Sequence, residues 1–239
     1  MRAGVVIPAF NEEAAIGRVL AELPGDEVED VIVADNGSAD RTRAVAEAAG
    51  ARVVLEPRRG YGAAVRAGLA ALRSSCDVVV ILDGDHSDYP EDLPALLSPI
   101  REGRADLVIG SRTLGGAEAG SLTLPQRFGN ALTCVLLRWL HGVRFTDMGP
   151  FRAIRRESLE ALGMTDATYG WNVEMQIKAI RGGLRILEVP VRYRPRIGKS
   201  KISGTLSGVL RAGVRILWSV LKFSWLDRGA VAGKEACRA

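Results

Sequence analysis

Cysteine, aromatic residues and long apolar runs are scarce in this chain, and each scarcity removes a class of protein. Three cysteines, Cys76, Cys134 and Cys237, lie far apart and in no metal-ligand spacing. An odd, scattered set argues for a reducing compartment and against a disulfide framework. Aromatics are 5% of residues and do not alternate with the basic ones. That argues against stacking on single-stranded nucleic acid, and no nucleic-acid partner is expected. No uncharged apolar segment approaches the roughly 20 residues of a bilayer span. No charged start, apolar stretch and small-residue cleavage site precede the first strand, so no signal peptide is expected.

What is present suits a globular protein: 239 residues, 47% hydrophobic and 25% charged, enough for one large domain or two small ones. The net charge of +4 hides a division. Residues 1–110 hold 11 basic and 19 acidic side chains, and the remainder 21 and 9. The basic half is expected to face an anionic partner, such as a phosphorylated molecule or an anionic membrane surface.

The most informative stretch is Val78-Val79-Val80-Ile81-Leu82-Asp83-Gly84-Asp85. Five apolar residues in a row read as a strand buried on both faces. In open α/β sheets, ligands bind beyond the carboxyl ends of such strands. Two carboxylates there, with Gly84 between them, suit an oxygen-preferring divalent metal that bridges a diphosphate. An acidic turn is the plainer alternative.

Strand and helix signals alternate through the first half. Strands are predicted at 3–7, 31–34, 53–55, 78–82 and 107–109. Helices are predicted at 12–23, 38–49 (with Ser38 as N-cap), 61–73 and 90–101. This alternation predicts a parallel sheet with helices on both faces. Beyond Ser111 come a Gly-rich loop at 113–124, a helix at 130–141, a turn into a strand at 147–154, a helix at 171–181 and a strand at 184–193. A basic loop at 194–203 and a helix at 206–226 follow. The last helix carries Arg211, Arg215 and Lys222 on one stripe, with Trp218 and Trp225 elsewhere, and suits an interfacial plane. Docking on the core or on a partner subunit is the alternative.

Other turns carry candidates. Pro8-Ala9-Phe10-Asn11-Glu12 closes the first strand, where helix N-terminal N–H groups suit a nucleotide. Asp35-Asn36-Gly37-Ser38 closes the second, where a carboxylate can bind ribose hydroxyls or a base N–H. Arg59-Gly60-Tyr61-Gly62 either lines the nucleotide pocket or supplies turn glycines. Neither a P-loop nor a dinucleotide fingerprint is present. Glu174 either faces an acceptor or sits on a helix surface. His86 is expected in a surface turn, with a place beside the metal as the alternative, and Arg155-Arg156 on a solvated face.

Taken in order, Pro-Ala-Phe-Asn-Glu, Asp35-Asn-Gly-Ser-x-Asp40-x-Thr42, Gly60-Tyr-Gly62, Asp83-Gly-Asp85, Gly110-Ser111-Arg112 and Asp147-Met-Gly-Pro-Phe-Arg152 resemble the family-2 glycosyltransferases of GT-A fold. Within them, the series resembles the dolichyl-phosphate mannose synthases and related polyprenyl-phosphate glycosyltransferases. The resemblance covers about residues 3–203. It implies an α/β fold with a mostly parallel central sheet and helices on both faces, plus a C-terminal amphipathic helix. Residues 1–203 would form the domain, with a nucleotide-binding half (1–111) and an acceptor half (112–203). The helix (204–227) and a tail (228–239) follow.

The resemblance also implies roles. Pro8, Phe10, Glu12 and Asp35 hold the donor nucleoside. Asp83 and Asp85, with Gly84 between, bind the diphosphate through Mg2+ or Mn2+. Ser87 stands where the mannose synthases often carry a Gln that reaches the metal, and Asp88 is a possible replacement. Arg112 lies near a phosphate, and Asp147 near the reacting carbon. The basic loop, with Arg194, Arg196, Lys199 and Lys201, binds phosphate. The expected reaction moves a sugar with inversion from a GDP- or UDP-sugar to a polyprenyl phosphate at the cytoplasmic leaflet of the plasma membrane, with a membrane subunit or a homo-oligomer as possible partners. A phosphate acceptor is already anionic near neutral pH; a hydroxyl acceptor would need Asp147 or Glu174 as base. A soluble transferase, a nucleotidyltransferase and a non-catalytic nucleotide-sugar module are the rival readings.

Overall fold

The computed structural model describes residues 1–198 and 217–226. Seven strands form one sheet: β1 (Ala3–Ala9), β2 (Val28–Asp35), β3 (Arg52–Leu55), β4 (Val78–Ile81), β5 (Leu107–Ser111), β6 (Arg152–Arg155) and β7 (Ile186–Pro190), in the order β3-β2-β1-β4-β6-β5-β7. The first four strands are parallel, as is the β5–β7 pair. β6 runs antiparallel between β4 and β5, with Ile81 opposite Arg152 and Ile109 opposite the same residue.

Helices α1 (Ile16–Ala21), α2 (Thr42–Ala48), α3 (Tyr61–Ala71), α4 (Leu93–Arg101), α5 (Arg112–Gly115), α6 (Leu124–His141), α7 (Arg156–Leu162) and α8 (Trp171–Arg181) surround the sheet. Side chains alternate across a strand, so β1 and β4 feed two cores. Val5, Ile7, Val78 and Val80 pack with Ile16, Val19, Leu93 and Leu97 on one face. Val6, Val79 and Ile81 pack with Val65, Leu137, Trp171, Met175 and Phe223 on the other. All four residues of β4 are buried, as its unbroken apolar run demands.

Several boundaries differ from the sequence expectation. Ser38 does not cap α2: its Oγ accepts from Asn11 N, and Thr42 N donates to Asp40 Oδ1. α6 starts six residues before the expected helix, because Thr123 and Gln126 form a capping box and Pro125 sits in the first turn. That signature is in the sequence but lies outside the apolar periodicity. α7 has no counterpart among the expected elements. Of the expected C-terminal helix, 217–221 are helical and continue into a π-helical turn, Lys222–Leu226. Lys199, Lys201, Arg211, Arg215 and the tail lie outside the described residues.

Candidate active site

The carboxyl ends of β1, β2, β4 and β5 open on one edge of the sheet. Because β6 is antiparallel, its amino end opens there too. One edge thus gathers Pro8–Glu12, Asp35-Asn36, Asp83–Asp88, Ser111-Arg112 and Asp147, and the chain beyond β7 crosses it.

On the β1–β2 side, Asp35 is fully buried and accepts from Ser38 N at 3.1 Å and Arg43 Nη2 at 2.9 Å. The Arg59 guanidinium lies 3.6 Å from the Phe10 ring centroid, a cation–π contact that leaves a planar wall beside the strand ends. Asn36 organises the neighbouring loop: its Nδ2 donates to the carbonyls of Glu56 and Arg58, and its Oδ1 accepts from Gly60 N. Gly60 (φ 144°) and Gly62 serve close packing, since a Cβ on either would collide with the carbonyls of Ala167 and Asp166. The glycines of that motif are therefore packing residues, while Arg59 lies over Phe10 and the buried Tyr61 hydroxyl neighbours Asp83.

Beyond β4 the chain turns tightly. A Cβ on Gly84 would stand 3.3 Å from Ile7 Cγ2 and 3.4 Å from the Pro8 carbonyl, so the glycine lets the acid pair lie against β1. Asp85 Oδ1 accepts from both the amide and the hydroxyl of Ser87, and Oδ2 pairs with Arg196 Nη1 at 3.1 Å. The other terminal nitrogen of Arg196 donates to Glu12 Oε1 at 3.0 Å. Asp88 Oδ2 accepts from Asp83 N, while its Oδ1 is buried without a partner.

Burial first, and then the Asp85 charge, push the Asp83 carboxyl up to about 7. Burial, then Asp83 and Asp85, push Asp88 up as well. Acids crowded in this way lack positive charge. Among the described residues there is no group of three or more side chains in metal-cage geometry. Mg2+ or Mn2+ is commonly held by one or two carboxylates plus substrate phosphates. The acid pair and the orphan Asp88 oxygen fit that mode.

Arg112 and Asp147 form the second constellation. Asp147 is 1% exposed. Its Oδ2 accepts from Arg112 N at 2.8 Å and Nε at 2.7 Å, and its Oδ1 from Arg112 Nη2 at 2.6 Å and Met148 N at 2.7 Å. Two residues not singled out from sequence hold the turn. Glu188 accepts from Thr146 N, Thr146 Oγ1 and Asp147 N, and Asn130 Oδ1 accepts from Met148 N. Glu188 is in β7 and Asn130 in α6, far apart in sequence, so no local spacing marks them.

Five residues named from sequence take other places. Glu174 is fully buried and faces neither acceptor nor solvent; it accepts from Thr165 N and Asp166 N and pairs with Lys178 Nζ at 2.8 Å. His86 is 7% exposed rather than a surface residue, with Nε2 2.8 Å from Glu22 Oε1. Arg194 holds the His86 carbonyl and Glu22, which leaves Arg196 as the arginine facing the acid pair. Arg155 and Arg156 are not a solvated face: they donate to the carbonyls of Ile100 and Arg73.

The family model for glycosyl transferase family 2 matches residues 4–163. A dolichyl-phosphate hexose transferase of Haloferax volcanii is 39% identical over 85% of this chain and 88% of its own. An undecaprenyl-phosphate mannosyltransferase of Micrococcus luteus is 33% identical over 93% of this chain and 98% of its own. Glucosyl-3-phosphoglycerate synthase of Mycobacterium tuberculosis, solved with Mn2+, uridine diphosphate and glucosyl-3-phosphoglycerate, superposes with a TM-score of 0.75 at 27% identity, over 93% of this chain and 80% of its own. With a sheet of GT-A type and the acid pair at its carboxyl edge, the chain belongs to glycosyl transferase family 2.

Proposed function

We propose that the protein transfers a sugar, with inversion, from a GDP- or UDP-sugar to a polyprenyl phosphate at an anionic membrane surface. The observation that carries this reading is the saturation of Asp147. Four donors, three of them from Arg112, occupy its carboxylate. Glu174, the other candidate base, is buried in its own network. A hydroxyl acceptor needs a base; a phosphate acceptor does not, since its second pKa is about 6. The two polyprenyl-phosphate transferases among the relatives support the same acceptor class.

Each residue then has a task. Phe10, Arg59 and Pro8 wall the nucleoside, with Glu12 and Asp35 at its polar edge. Asp83 and Asp85 would hold Mg2+ or Mn2+, which supplies charge neutralisation for the leaving diphosphate. Ser87 orients Asp85. Arg196 stands over the acid pair, ready to move onto a phosphate. Arg112, with its plane fixed by Asp147, presents a rigid cation to an anionic group in transit. With both candidate carboxylates engaged, attack at the anomeric carbon is direct, and one displacement inverts it.

Features of α6 and the C-terminal segment support the membrane surface. Leu124 and Trp139 are 81% and 79% exposed, and Phe128, Val135, Leu217, Trp218, Leu221 and Trp225 are exposed as well. Residues 124–144 contain arginines but no Asp or Glu. Exposed tryptophans among basic residues suit the headgroup region of an anionic leaflet. Among the described residues no helix is long and apolar enough to cross a membrane.

The test is a transfer assay with a panel of UDP- and GDP-sugars, Mn2+ or Mg2+ and a short polyprenyl phosphate. The expected product is organic-extractable and is lost in Asp85→Asn. Donor turnover without lipid product would overturn the acceptor assignment.

A further inference from the structure

Arg152 closes the sixth motif of the chain, and nothing above gives it a task. It is 0% exposed. Nη2 donates to the Gly149 carbonyl, and Nη1 reaches the Asn172 carbonyl at 3.4 Å and Met175 Sδ at 3.7 Å. Nε is buried without a partner. Among the described residues no carboxylate lies within ion-pair distance. Burial lowers the guanidinium pKa to about 10, so it remains charged near neutrality. A buried, unpaired charge opposes folding. Met or Leu would fill this place at lower cost, and the neighbouring cores are built of such residues.

The location explains what the charge is for. Arg152 is the first residue of β6, opposite Ile81 and Ile109. Those residues lead directly into the acid pair and into Ser111-Arg112. Its electrostatic neighbours are Tyr61, Asp147, Arg112 and Asp83. Its two carbonyl contacts are equally pointed: Gly149 belongs to the turn that carries Asp147, and Asn172 to the first turn of α8. Glu188 and Asn130 hold the Thr146–Met148 end of that turn, and Arg152 holds the other.

We infer that Arg152 is a positioning residue for sugar transfer: its buried guanidinium fastens the Gly149 end of the Asp147 turn to α8 and thereby sets the Asp147–Arg112 pair against the acid pair. The assignment rests on the reading of Arg112 as the cation facing a phosphate. It costs stability and serves activity, so the two are expected to move in opposite directions when it is removed.

Arg152→Met is the decisive variant, with Arg152→Lys beside it, each compared with wild type for Tm, kcat and donor KM. Arg152→Met is expected to melt no lower than wild type, since replacing buried charge by a well-packed apolar side chain is often neutral or stabilising. Its kcat is expected to fall about 100-fold, the scale of a misplacement near 1 Å, with little change in donor KM. Arg152→Lys keeps the charge but not the fork, and is expected to fold with intermediate kcat. A Met variant with lowered Tm but unchanged kcat per folded molecule overturns the inference. So does a Met variant that fails to fold beside a fully active Lys variant. Donor turnover alone is read in parallel, so that wild type inactive toward polyprenyl phosphate sinks the acceptor assignment while Arg152 is still judged.

Discussion

Arg112 grips Asp147 through its own backbone N–H as well as its side chain, with N, Nε and Nη2 all within 2.8 Å of the carboxylate. An arginine held in this way cannot swing, and the carboxylate is spent on holding it. Asp147→Asn is therefore expected to reduce kcat/KM on the order of 100- to 1000-fold, the scale of losing one preorganised charge-stabilising group. The pH profile of the residual activity should keep its shape. If the acid limb vanished instead, Asp147 would be the proton acceptor and the acceptor a hydroxyl.

Ser87 donates both its N–H and its hydroxyl to Asp85 Oδ1. Loss of such outer support commonly costs 10–100-fold in metal affinity. Ser87→Ala is expected to raise the half-saturating Mn2+ concentration by about that factor, with kcat recovered at high metal. A rate that no metal concentration restores would make the hydroxyl itself a ligand.

Removal of divalent metal by chelation and dialysis is expected to abolish donor turnover, and added Mn2+ or Mg2+ to restore it. Asp83→Asn and Asp85→Asn should not respond to the addition. Undiminished turnover in excess chelator would refute metal dependence.

Glu56 is held by Arg58, whose hydrogen bonds lower its pKa from 4.5 to about 2. The folded state thus favours the carboxylate. The stabilisation is complete above pH 4.5, fades as pH falls, and is gone below about 2. Arg58 is 72% exposed, so solvent screening keeps the effect small. Glu56→Gln is expected to flatten Tm against pH within that window and to leave neutral stability nearly unchanged. An identical acid slope in both proteins would remove this pair from the account.

Trp139 and Trp225 are 79% and 57% exposed. Replacing both by alanine is expected to lower partitioning onto anionic vesicles by more than about tenfold in flotation, given 1.5–3 kcal/mol for burying one large apolar side chain. Wild type that stays at the bottom of the gradient at low salt would disprove the membrane surface.

The parts of this molecule legible from sequence are those written in contiguous residues. The apolar run 78–82 announces β4 and the acids after it, and 171–181 coincides with α8 to the residue. β6 is harder. Its four residues, Arg-Ala-Ile-Arg, begin and end in charge, and nothing local says that it enters the sheet antiparallel. Glu174 and Arg152 illustrate a second limit. A charge in a helix or strand reads as a surface residue, and only partners outside its own element, such as Thr165 for Glu174 and Asn172 for Arg152, show that it is buried.

The insertion of β6 also fixes the order in which this protein can become itself. β4 and β5 do not touch as partners; each waits for β6, which lies more than forty residues beyond the end of β5. A chain that has emerged only as far as Ser111 has a parallel leaflet with β4 as a bare edge and β5 without either neighbour. Residues 1–111 by themselves therefore leave an edge of β4 and both edges of β5 unpaired. Edge pairing with other nascent chains is the hazard during that interval, and the long closure from β5 to β6 sets an upper limit on how fast it passes.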